Sequence, residues 1–365
     1  MKIREVIHVL EMLAPLSLQE SYDNAGLIVG NNETECTGII TSLDVTESVV
    51  EEAVKRKCNL IVAHHPVIFK GIKKLNGKSY VERTVISAIK NDVAIYAIHT
   101  NLDNIAEGVN KKIAEKLHLQ NCKTLLQKEG TLRKLVTFSP VKNAEEVRNA
   151  LFAAGAGAIG KYDECSFNVD GQGSFRAGEE SHPYVGEIGE RHLENETRIE
   201  VIFPAFLKNK IIASLKESHP YEEIAYYVHS LENVQDNIGS GLIGELPAEV
   251  SEKDLLESLK KAFNLSVIKH TAFLEKKVKK IAVCGGAGIF LLPNAIAAGA
   301  DVYITSDIKY HDFFDADGHI LLADIGHYES EQFTMDLLTD FLQQKFPNFA
   351  VLKTEMNTNP VKYFL

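Results

Sequence analysis

Short uncharged runs of apolar residues alternate with amphipathic stretches along the first 120 or so residues, and this rhythm restricts the fold more than any single motif. GIITSLDVT, NLIVAHHP and VAIYAIHTNLD read as strands, while ESVVEEAVKRK, TVISAIKND and GVNKKIAEKLHL read as helices. Strands apolar throughout, separated by helices, predict a parallel sheet covered on both faces. Ile3, Val6, Ile7, Leu10 and Leu13 fall at helical spacing, so an amphipathic helix over 2–14 opens the chain. The rhythm returns beyond residue 236: SEKDLLESLKKAF predicts a helix, KKIAVCGGAG a strand entering a glycine-rich turn, HILLADIGHYESEQFTMDLLTDFLQQKF a strand feeding a long helix, and FAVLKTE a last strand.

Between these stretches the pattern changes. LRKLVTFSP, AEEVRNALFAAG, CSFNVDGQGSFRAG, TRIEVIFPAF, KNKIIASLKES and HPYEEIAYYVHS give strand, helix, strand, strand, helix, strand, the ferredoxin-like order. The expected organisation is therefore α/β, with an N-terminal segment (1–125) and a C-terminal segment (236–365) whose largely parallel sheets pack as one body. A ferredoxin-like α+β insertion (126–235) interrupts them. Tyr226 and Tyr227 are assigned to packing within that insertion.

Composition narrows the function classes. The 365 residues carry 39 basic and 50 acidic side chains, a net charge of −11, which disfavours a broad cationic surface for nucleic acid or membrane. No apolar run approaches the ~20 residues of a membrane helix, and Glu5 and Glu11 inside the first apolar pattern are foreign to a signal peptide. Five scattered cysteines without CxxC spacing argue against disulfides and a cysteine-based zinc knuckle. A cytoplasmic location is expected.

The chemistry concentrates where strands end. In open α/β sheets ligands bind beyond the carboxyl ends of strands, and Asp44, His64, His65, His99 and Asp103 all fall at or just after such ends. His327 and Glu331, four apart at a helix start, share one face. Taken singly, a histidine pair is more often solvated or core, an aspartate after a strand caps a turn, and a His/Glu pair caps a helix. The coincidence of three histidines and two carboxylates shifts the reading to a metal site without thiolate, suited to Zn²⁺, Mn²⁺ or Fe²⁺. Five ligands exceed the three that a catalytic zinc takes, so two ions ~3.5–4 Å apart are expected, bridged by Glu331 and a hydroxide. In the division adopted at this point, His65 and Asp103 hold one ion and His64 and His327 the other. Asp44, His99, Asp307 and His311 are secondary candidates for acid/base work or for orienting ligands. GGAG at 285–288 is read as a tight turn rather than a phosphate cradle, and Cys284 as a small buried residue.

With these residues in view, the sequence resembles the NIF-three-like family, also labelled GTP cyclohydrolase 1 type 2 homologs. YDNAGLIVG, IVAHHP, IHTNLD, CGGAG, ADVYITSDIKYHD and IGHYESE carry the resemblance in both outer segments. It implies a dinuclear metal centre made of His64, His65, Asp103, His327 and Glu331, in a toroidal homohexamer. It also implies a PII/CutA-like insertion, since SHPYEEIAYYV is similar to the CutA HPYE segment. The function expected is metal-dependent hydrolysis of a small, possibly nucleotide-like molecule. The alternative is a non-enzymatic metal-binding or regulatory scaffold whose insertion binds an effector or partner.

Overall fold

The computed structural model describes residues 1–364. In chain order the elements are α1 (Ile3–Leu13), β1 (Gly26–Val29), β2 (Ile39–Ser42), α2 (Glu47–Lys55), β3 (Leu60–Ala63), α3 (Tyr80–Lys90), β4 (Ala94–Ala97), α4 (Thr100–Asp103), α5 (Val109–Lys116) and β5 (Gln120–Gln127). They continue with β6 (Leu132–Pro140), α6 (Ala144–Ala153), β7 (Phe167–Arg176), β8 (Arg191–Pro204), α7 (Lys208–Ser218) and β9 (Tyr226–Ser230). The last stretch holds β10 (Gly239–Ser251), α8 (Glu252–Phe263), β11 (Lys269–His270), β12 (Lys277–Val283), α9 (Leu292–Ala297), β13 (Val302–Thr305), β14 (Leu321–Asp324), α10 (His327–Glu331), α11 (Thr334–Lys345) and β15 (Val351–Lys353). Two compact units result: Met1–Gln127 with Asp236–Leu365, and Lys128–Gln235.

The first unit contains two sheets. One has the order β1-β4-β3-β2-β15, parallel except for β1 at its edge. The other has the order β11-β14-β13-β12-β10-β5, in which β12, β13 and β14 run parallel and the rest antiparallel. Neither β5 nor β10 is expected from the sequence pattern. Exposed positions dominate β5, and β10 is interrupted by Gly239, Gly241, Gly244 and Pro247, so neither shows a clean apolar period.

Strand alternation explains the layering. Leu60 and Val62 of β3 enter one core while Ile61 and Ala63 enter another. In the same way Val302 and Ile304 of β13 join the first core, and Tyr303 points to a third on the far side of its sheet. The shared core contains α1, α5, α8 and α11 between the two sheets, and α2 and α3 cover the outer face of the first sheet. In α2, Glu47 in the first turn and Lys55 in the last match the helix dipole.

The second unit is an antiparallel sheet of order β7-β8-β6-β9, the strand order of the ferredoxin-like plan. Leu135, Ile199, Val201 and Phe203 pack under Val147 and Leu151 of α6 and Ile211 and Leu215 of α7. Tyr226 joins this core, whereas Tyr227 stays 55% exposed.

Ile61 is fully buried between β3 and its helices. Replacing it by alanine is expected to cost about 2–5 kcal/mol of stability, read as a lowered urea midpoint for the first unit; a midpoint unchanged from the parent would contradict this packing.

Candidate metal centre

The centre lies where the carboxyl ends of parallel strands from both sheets of the first unit come together, as expected for open α/β sheets. After β3, the backbone N–H groups of His64 and His65 still donate to Ser42 O and Leu43 O, so the ladder continues two residues beyond the strand. The two rings stand 4.9 Å apart, tilted by 44°. Asp103 closes the short helix α4, and His327 and Glu331 are the first and last residues of α10. The long helix expected after β14 is therefore two helices, the shorter of which presents His327 and Glu331.

Glu331 is the hub. Its Oε2 lies 2.9 Å from His65 Nε2 and 3.1 Å from His327 Nε2, and its Oε1 lies 3.8 Å from His64 Nε2. His64 Nε2 is in turn 3.6 Å from Asp103 Oδ1. His64, Asp103 and Glu331 form one group able to hold a metal ion, and His65, His327 and Glu331 form another. This corrects the division drawn from the sequence: His64 goes with Asp103, and His65 with His327. Strand alternation is the reason, since adjacent His64 and His65 turn their rings to different sides of the hub. His99 completes a third group with His64 and His65.

Every imidazole is held through Nδ1, leaving Nε2 for the centre. His64 Nδ1 meets Ile98 O at 2.9 Å, His65 Nδ1 meets Asp44 Oδ1 at 2.8 Å, His327 Nδ1 meets Asp307 Oδ2 at 2.8 Å and His99 Nδ1 meets Asp23 Oδ1 at 2.7 Å. An oxygen behind the far ring nitrogen is the usual means of orienting a metal-binding histidine. Asp44 and Asp307 thus act on ligands. Asp44 is itself held by the Thr358 hydroxyl at 2.8 Å. His311 is not brought in: it is exposed on a 3₁₀ turn, its ring against Tyr310 and Phe314. Asp23, within the YDNAGLIVG segment, and Thr358 are not singled out by the sequence as partners of these histidine and aspartate side chains, because both reach the site from loops distant in sequence.

The donor set fits a divalent cation. His64 Nε2 and Asp103 Oδ1 are buried and have no hydrogen-bond partner among the described residues. Such orphans are costly unless something fills the space between them. Two donors each ~2.1 Å from a tetrahedral ion stand about 3.4 Å apart, close to the 3.6 Å seen here. The electrostatics agree. Burial and the repulsion of Glu331 push Asp103 up to about 7. Burial also opposes the charge on Glu331, yet the surrounding imidazoles hold its carboxyl well below the usual range. Burial would lower His65 and His327, but their carboxylate partners raise them to about 9 and about 11.

The GGAG turn makes room for the hub. Gly286 has φ +62°, and a Cβ there would collide with Glu331 Oε1. A Cβ on Gly285 would come within 3.3 Å of Glu331 Cγ. Ser330 fastens the turn beside the hub, its Oγ accepting from Gly286 N at 3.0 Å.

Gly286→Ala is accordingly expected to cut metal content at least tenfold, measured by elemental analysis, since both its backbone conformation and its Cβ conflict with Glu331. Because an ion takes only unprotonated imidazoles, uptake must expel the protons on His65 and His327. Affinity should therefore rise with pH from 6 toward 9, with proton release visible in calorimetry across buffers of different ionisation enthalpy; pH-independent uptake would contradict the geometry.

Known proteins share this chain's sequence and fold. The family model for Duf34/NIF3 (NGG1p interacting factor 3) matches residues 1–360. A curated relative from Halalkalibacterium halodurans, named GTP cyclohydrolase 1 type 2 homolog, is 36% identical over 98% of both chains. The Bacillus subtilis protein of the same name is 34% identical over 99% of this chain and 98% of its own. Among solved structures, a Bacillus cereus protein related to NIF3 superposes with a TM-score of 0.86 at 36% identity, covering 100% of this chain and 99% of its own. A Staphylococcus aureus protein gives a TM-score of 0.79 at 30% identity, over 100% of this chain and 99% of its own. No helix among the described residues is long and apolar enough to cross a membrane. From its first strand to its last, the chain belongs to the Duf34/NIF3 family.

Proposed function

We propose that this chain is a metal-dependent hydrolase that works with two divalent ions. The observation that carries this reading is the division of one buried carboxylate between two donor groups: Glu331 Oε1 faces His64, which stands beside Asp103, and Oε2 faces His65 and His327. Nitrogen and carboxylate donors suit zinc, and manganese or ferrous iron share them. When bound, such a pair lowers the pKa of a water molecule and polarises the bond to be broken.

The remaining roles fall to the chain's own residues. Glu331 and Asp103 balance the positive charge. Asp44 and Asp307 hold His65 and His327 in orientation. His99 is braced by Asp23, whose carboxyl is kept at about 2: burial pushes it up, and the hydrogen bonds from His99 and Thr100 more than reverse this. Its ring stands 5.3 Å from that of His64 and 5.4 Å from that of His65, so it is the group assigned to carry a proton to the leaving atom. A ring-shaped homohexamer in the cytoplasm, with a PII/CutA-like insertion, belongs to the same proposal and is supported by family membership. A second reading, a regulatory scaffold, draws on a cleft of about 670 Å³ in the second unit, lined by Phe175, Tyr184 and Tyr221 with Arg176 and Arg198.

Elemental analysis of the purified chain should find about two ions, and Glu331→Ala clearly fewer. The parent should hydrolyse at least one member of a panel of nucleotides, phosphoesters and amides, and a chelator should abolish this. A metal-replete protein inert across the panel would sink the enzyme and leave the scaffold. His99→Gln should lower kcat by roughly 10²–10⁴-fold with metal content unchanged.

A further inference from the structure

We infer that the cleft over the metal centre is built for an uncharged, planar aromatic molecule and disfavours polyanions such as nucleoside triphosphates. The inference rests on the hydrolase reading for its site and adds the class of substrate. The cleft measures about 1370 Å³, more than the ~300–1,000 Å³ of common ligand sites.

One part of its lining is aromatic. The rings of Tyr22 and Phe69 are 6.3 Å apart, and Phe69 meets His99 edge-on at 6.2 Å, so this wall runs straight into the imidazole cluster. Tyr22 is 63% exposed, Phe69 48% and Phe290 58%. Large rings left open in a concavity gain most from being covered by another flat ring.

The charges in the cleft point the same way. Among the described residues, eight lining side chains are carboxylates, and the single lysine or arginine, Lys269, is already paired with Asp324 at 2.5 Å. Arg83 neutralises Glu47 at 2.8 Å, and two divalent ions would add four positive charges. The lining stays net negative even then. Apart from metal ions, phosphate sites draw on arginine, lysine or free backbone N–H groups. Here three of the four N–H groups of the glycine-rich turn are already engaged: Gly285 N donates to Asn110 Oδ1, Gly286 N to Ser330 Oγ and Gly288 N to Thr305 Oγ1.

Guanosine and GTP share a ring and differ in charge, which makes them the matched probes. Titrated into the zinc-loaded full-length chain at low ionic strength, guanosine should bind at least tenfold more tightly than GTP, and added salt should narrow the gap. Replacing both Tyr22 and Phe69 by alanine should weaken guanosine at least about tenfold at unchanged metal content, while Tyr22→Phe should retain it. Both side chains are exposed, and circular dichroism of the variants checks that they fold as the parent does. The inference is overturned if GTP binds as well as guanosine, if guanosine does not bind, or if loss of the aromatic pair changes nothing. Metal analysis separates the two readings. A parent chain without ions ends the hydrolase proposal, whereas the guanosine preference is still measured on the same protein, whose lining is then more negative.

Discussion

A carboxylate buried among imidazoles organises this molecule. Glu331 is 3% exposed, and an isolated charge at such a site would be strongly unfavourable. Around it the chain places His64, His65 and His327, and behind each imidazole an oxygen that sets its orientation. The nearest backbone is glycine at 285 and 286, because a Cβ at 286 would collide with the carboxylate and one at 285 with Val109 and the Glu331 side chain. Asp103 adds a second carboxyl whose burial raises its pKa to about 7. Protonated His65 and His327 offset part of the cost of assembling two carboxyls and three imidazoles in a small volume, and a divalent cation among them would take over that role.

The fold delivers these groups from two directions. The sheet around β3 contributes His64, His65, Asp44 and, beyond β4, His99 and Asp103. The sheet around β13 contributes Gly286, Asp307, His327 and Glu331. Each set lies past the carboxyl ends of its parallel strands, so the rigid layers position the ligands and the loops carry them. Burial of α1, α5, α8 and α11 between the sheets holds the two sets in register. The segment after β15 adds its own constraint through Thr358, which acts on Asp44 and through it on His65.

Recognition of a substrate would follow from the same charge arrangement. An acidic lining concentrates cations and excludes anions, and the exposed rings of Tyr22, Phe69 and Phe290 supply apolar area. Few polar groups with free donors remain for phosphate, since the glycine-rich turn spends three of its four N–H groups on Asn110, Ser330 and Thr305. The second unit has its own core, beneath α6 and α7, and its own aromatic cleft.

Much of this was legible in the sequence. Short apolar runs alone identified the strands β2, β3, β4 and β14, because a strand buried on both faces is apolar over most of its length. Periodicity likewise located α1, α2 and α8, whose apolar residues repeat at helical spacing. The position of histidines and aspartates after those strands marked them as a set. Hidden from the sequence were β5 and β10, where exposed residues and glycines erase the period. The pairing of His64 with Asp103 and of His65 with His327 was hidden too, since it depends on which way each ring turns at the end of the ladder. Asp23 and Thr358 became meaningful only when loops far apart in the chain met at one imidazole each. Local pattern determined which residues could be ligands; the packing of two sheets against shared helices decided which of them face one another, because those distances are set across the core and not along the chain.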